Sequence, residues 1–181
     1  MASETDFEAA KPADAVAPLG VAERPDGANA DGANEGKGKA ATLAEVFGIG
    51  RDGLEGLYGV ARNDYVGGRY EQAVVGFELL CLYDHLNFDY WLALGRCRQM
   101  MRDYFAAGSA LSVAVECAAA PAPDLLMDVA ECMIVAEEPE AAEAALRGIS
   151  DGKAKVAAGR LKLLRMSLDD LLTSRQGGDD G

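Results

Sequence analysis

Four cysteines, one histidine and thirty acidic side chains are the groups in this 181-residue chain that could do chemistry, and their spacing supports no common reaction. Cys81, Cys97, Cys117 and Cys132 form no C-x-x-C pair, and His85 alone cannot complete a zinc ligand set with them. Cys97 and Cys132 fall at one place of a repeated block, which suits reduced, packed thiols. His85, in Asp84-His85-Leu86, reads either as a pH or metal site or as a packed turn residue beside Asp84. There is no G-x-S-x-G, P-loop or H-E-x-x-H. Asp26-Gly27-Ala28-Asn29 and Asp31-Gly32-Ala33-Asn34 lack the alternating acids and closing Glu of a calcium loop. The sequence therefore predicts no enzyme activity, no cofactor and no metal. What remains is recognition.

Recognition side chains need a scaffold, and a repeat supplies it. Leu54 to Asn87 overlays Phe88 to Pro121 as two blocks of thirty-four residues: Leu57 on Trp91, Val60 on Leu94, Ala61 on Gly95, Tyr70 on Tyr104, Ala73 on Ala107, Phe77 on Leu111. After one inserted residue a third block starts at Pro123 and puts Leu126, Val129, Ala130, Ala142 and Leu146 at the same places. That period is the tetratricopeptide signature, two antiparallel helices per repeat. Small residues at places eight and twenty let helix axes approach closely, and large ones at places four, seven and twenty-four fill the space beside them. Turns are expected at Gly67-Gly68, at Arg102-Asp103 and at Glu137-Glu138-Pro139. The predicted fold class is all-α: a tetratricopeptide-repeat superhelix of three helical hairpins with an N-terminal helix and a C-terminal capping helix.

Around residues 53–150, which hold the repeats, the flanks read differently. Residues 1–41 are rich in Ala, Gly, Asp, Asn and Pro and are expected to be a disordered lead. Thr42-Leu43-Ala44-Glu45 has the form of a capping box and opens a short N-terminal helix within 42–52. Leu43, Val46, Phe47 and Ile49 make that helix apolar on most of its circumference, so it needs a partner surface, either the first hairpin or a second copy of the chain. A final amphipathic helix is predicted from Lys153 to Thr173 within a capping segment 151–175, with Val156, Leu163, Leu164, Leu168, Leu171 and Leu172 apolar. Its basic cluster, Lys153, Lys155, Arg160, Lys162 and Arg165, is either a solvated face or a partner site. Residues 176–181 read as a disordered tail.

A stack of hairpins presents a concave groove lined by the first helix of each repeat. Places two, five, nine and twelve aim into it: Glu55, Tyr58, Arg62 and Tyr65, then Asp89, Leu92, Arg96 and Gln99, then Asp124, Met127, Glu131 and Ile134. The predicted peptide-binding set is Tyr58, Arg62, Tyr65, Leu92, Arg96, Gln99, Met127, Glu131 and Ile134. Mixed aromatic, aliphatic and charged walls suit an extended peptide with apolar anchors. A clamp for a C-terminal carboxylate would want Lys and Asn at places five, nine and thirteen, where Tyr58, Arg62, Val66, Leu92, Arg96 and Met100 stand instead. Three anchors contributing roughly 1.5–3 kcal/mol each on full burial, set against the ordering of side chains and association, imply a dissociation constant on the order of micromolar. The net charge of -13 disfavours nucleic acid and anionic membranes, no apolar run is long enough to span a bilayer, and the first residues lack a secretory signal. The expected compartment is the cytoplasm, without membrane insertion.

Several phrases resemble one family, the class II chaperones of bacterial type III secretion systems. They are Leu57-Tyr58-Gly59-Val60-Ala61, Gly68-Arg69-Tyr70-Glu71-Gln72-Ala73, Cys81-Leu82-Tyr83-Asp84-His85, Leu94-Gly95-Arg96-Cys97-Arg98-Gln99 and Ala130-Glu131-Cys132, within Thr42 to Ile149. The resemblance implies three repeats between two flanking helices and a groove that binds an extended segment of a hydrophobic translocator, keeping it soluble and export-competent. It also implies homodimerisation through the N-terminal region, which would cover Leu43, Val46, Phe47 and Ile49. A tetratricopeptide scaffold or adaptor in another assembly, or a co-regulator of a transcriptional activator, is the alternative.

Overall fold

A computed structural model describes residues 41–149 and 158–177, and the secondary structure among them is entirely helical. The elements are α1 (Leu43–Phe47), α2 (Arg51–Val66), α3 (Tyr70–Tyr83), α4 (Phe88–Met100), α5 (Tyr104–Cys117), α6 (Pro123–Val135), α7 (Pro139–Arg147) and α8 (Ala158–Gly177). Helices α2 and α3, α4 and α5, and α6 and α7 pair as the three expected hairpins. The expected lead and the last residues of the expected tail lie outside the described residues.

The three hairpin turns are copies of one another. The fifteenth place of each block is left-handed: Gly68 at φ 74°, Arg102 at φ 61° and Glu137 at φ 59°. Each turn closes with a backbone bond from the next residue to the carbonyl five residues back, Arg69 to Asp64 (2.9 Å), Asp103 to Arg98 (3.0 Å) and Glu138 to Met133 (2.8 Å). This is the Schellman ending of a helix. The third block, for all its offset, therefore folds in register with the others. Pro123 and Pro139 each begin a helix, where no donor is needed. Asn87 and Asp103 cap α4 and α5 by accepting from the Asp89 and Ala106 amides.

Packing follows the repeat. Ala61, Gly95 and Ala130 at place eight, and Ala73, Ala107 and Ala142 at place twenty, are all buried. A Cβ on Gly95 would stand 2.6 Å from Leu111 Cγ and Cδ2 and 3.3 Å from the Ala107 carbonyl, so only glycine allows that approach of α4 to α5. Phe77, Leu111 and Leu146 fill place twenty-four. Place seven departs from expectation in the first block: Leu94 and Val129 are buried, but Val60 is 62% exposed, since among the described residues only the short α1 precedes its helix.

The flanks depart further. The Thr42–Glu45 capping box forms as read, but left-handed Gly48 stops α1 after Phe47, and Arg51 already opens α2. Helix α1 rests lightly on α3 through buried Ala44 and leaves Val46 (66%) and Phe47 (69%) in solvent, while Ile49 folds onto the core. Helix α8 runs further than predicted, to Gly177, while its predicted start, with Lys153, Lys155 and Val156, lies outside the described residues. Its buried stripe is Leu161, Leu164 and Leu168, at helical spacing. Leu163 lies off that stripe and is exposed, a correction to its expected burial.

Candidate functional site

The residues expected to line the groove stand on α2, α4 and α6, the first helices of the hairpins. Tyr58, Leu92 and Ile134 are half-buried, so each shows part of an apolar side chain to solvent. The Tyr58 ring rests against Phe77 (centroids 5.8 Å apart) and Tyr90 (5.9 Å). Burial raises the pKa of its phenol; the Asp89 carboxylate adds to this and Arg62 opposes it. Arg62 and Glu131 are exposed, and Arg96 and Gln99 half-buried.

Two predicted lining residues are interior instead. Tyr65 is buried, because the chain turns back after it and sets the Tyr70 ring edge-on against it at 5.6 Å. Met127 is fully buried within the cluster that also holds Leu126, Val129 and the α8 leucines. Neither offers a surface to a peptide.

The other polar groups form a network centred on a residue that the repeat pattern passes over. Asp128, at place six, is the one buried charged side chain among the described residues. It pairs with Arg96 of α4 and, at 2.6 Å, with Arg160 of α8. Arg160 also reaches Glu131 at 2.5 Å. Arg96 donates to the Gln99 side chain at 3.0 Å, and Gln99 donates to the Cys132 sulfur at 3.1 Å. The signal in the sequence was a lone acid inside the apolar run Leu125-Leu126-Met127-Asp128-Val129-Ala130, which needs paired charge to be buried.

The phrases that suggested a family have structural tasks. In Leu94-Gly95-Arg96-Cys97-Arg98-Gln99, Gly95 allows the close approach to α5 and buried Cys97 donates to the Tyr70 carbonyl at 3.3 Å. Arg98 ties Glu78 of α3 to Asp103 of the turn. In Cys81-Leu82-Tyr83-Asp84-His85, the Asp84 carboxylate accepts from the Leu86 amide at 3.3 Å, and the His85 carbonyl accepts from the Trp91 indole at 2.9 Å. The His85 side chain is exposed rather than packed against Asp84. Burial pushes the Cys81 thiol up to about 12 and the Cys97 thiol up to about 11, so both are protonated and inert near neutrality. No group of three or more His, Cys, Asp or Glu among the described residues is placed to hold a metal, and no helix there is long and apolar enough to cross a membrane.

Three hairpins in register, with a row of half-buried side chains on their first helices, define a tetratricopeptide-repeat protein. No protein-family model matches the sequence. Low calcium response locus protein H of Yersinia pestis is 44% identical over 63 residues, 35% of this chain but only 38% of that relative. The translocator chaperone SycD of Yersinia enterocolitica is 31% identical, covering 70% of this chain and 98% of its own, with a TM-score of 0.54. PcrH, solved with the chaperone-binding region of PopD, is 27% identical, covering 71% of this chain and 97% of its own, with a TM-score of 0.54. The chain belongs to the translocator chaperones of type III secretion.

Proposed function

We propose that this chain keeps a hydrophobic translocator of a type III secretion system soluble and export-competent by holding an extended segment of it in the groove lined by the first helices of its hairpins. The contacting set is Tyr58, Arg62, Leu92, Arg96 and Gln99, with Glu131 and Ile134 of α6 at the far end of the row. The observation that carries this reading is the match along nearly the whole of SycD, which has also been solved with a peptide of the translocator YopD, and of PcrH with part of PopD. The mechanism is passive: apolar client surface is exchanged for apolar groove surface in the cytoplasm, with no bond made or broken. The exposed Val46 and Phe47 of α1 await a partner, and a second copy of the chain is the occupant we assign, in line with SycD crystallised as a dimer.

Co-expression with a translocator encoded beside this chain tests the proposal. The translocator is expected in the soluble fraction with the chain and in inclusion bodies without it. Arg62→Glu and Leu92→Ala should each lower client recovery while leaving helix content unchanged. A client that stays soluble with the double variant rules out this row as its seat.

A further inference from the structure

We propose that α8 is the end wall of the client groove, confining an extended client segment to the first two hairpins, with Asp128 as the residue that positions the wall. The inference rests on the groove reading above and adds where the groove stops. Along the array, α4 packs back on α3 and α6 on α5, the second helix of the preceding hairpin, with little backbone approach to its first helix. Helix α8 breaks this rule and packs on α6 as well as on α7, so it is shifted toward the side where the first helices lie. The lining places record the shift. At place five, Tyr58 and Leu92 are half-buried but Met127 is fully covered. At place nine, Arg62 and Glu131 are both exposed, and Glu131 is paired with Arg160 of α8.

Asp128 joins the wall to the groove. One carboxylate oxygen pairs with Arg96 of α4, and the other holds Arg160 of α8. The orientation of a client-contacting residue and the docking of α8 thus depend on the same buried group.

Hydrogen exchange on the full chain, with short overlapping segments of a neighbouring translocator as the probe, tests this. In the unmodified chain a bound segment should protect α2 and α4 and leave Glu131 to Val135 unchanged. In Arg160→Glu, where the start of α8 is repelled from Asp128 and Glu131, the protected region should extend onto Glu131 to Val135. Affinity for the shortest binding segment should change by less than about fivefold, the scale of a partly exposed ion pair. Arg160→Ala, which removes the pairing without adding repulsion, is expected to give the same extension and stands in should the first variant fail to fold. An unmodified chain whose α6 is protected as strongly as α4 overturns the end wall, as does an unchanged footprint in the variants. Absence of binding by every segment instead overturns the groove reading itself.

Discussion

Replacing Arg102 and Glu137 with glycine should stabilise the protein, although both changes remove a side chain. These residues hold the left-handed position that Gly68 holds in the first hairpin, at φ 61° and 59° against 74°. A left-handed backbone costs an L-residue about 1–2 kcal/mol. Glycine avoids that strain, but its extra freedom in the unfolded chain takes back about 0.4–1 kcal/mol. Both side chains are exposed, so little packing is lost and each substitution should gain about 0.5–1 kcal/mol. The double variant should therefore be more stable by about 1–2 kcal/mol, a Tm rise of roughly 3–6 °C for a chain of this size. Gly68→Ala should lose a comparable amount, giving an internal control of opposite sign. Thermal and urea denaturation of the three variants measure this. A double variant less stable than the parent, or a neutral Gly68→Ala, would refute the claim that one strained turn recurs three times.

Gly95→Ala should destabilise by about 1–3 kcal/mol, because the new methyl meets the fully buried Leu111, which cannot retreat; urea denaturation reads the loss. The raised thiols predict an alkaline limit. The native state retains protons that the unfolded state gives up near pH 9.0, so stability holds below that value and falls as pH rises toward about 12. Cys81→Ala should flatten that fall, as followed by denaturation between neutral and alkaline pH. Val46→Asp with Phe47→Asp should shift the chain toward monomer in sedimentation equilibrium while leaving its melting within about 0.5 kcal/mol of the parent, since both residues are exposed; a dimer that survives the change places the second copy elsewhere.

The hairpins were legible because the constraint on each repeated place is steric and local. Ala61, Gly95 and Ala130 must be small wherever two axes meet, and the register of the third block survived its one-residue offset for that reason. Even the turns could be located, though nothing in Arg102 or Glu137 as residue types announces a left-handed backbone. The repeat dictates the conformation and the side chain tolerates it.

The site was legible only where each repeat sees the same surroundings. Places five and twelve aim alike in an endless array, but this array has two ends and an uneven turn. Met127 is covered where α8 packs against α6, and Tyr65 is roofed where Tyr70 follows the Gly67-Gly68 turn. Val60 is bared for the converse reason, with only α1 before its helix among the described residues. Asp128 escaped because its place holds Gly59 and Ala93 in the other blocks: its partners, Arg96 and Arg160, each lie thirty-two residues away, and only the docking of α8 brings all three together. Periodicity can therefore assign what every repeat shares. The residues that distinguish this groove from a generic one arise where the period is broken, and those are the positions at which client specificity should be sought.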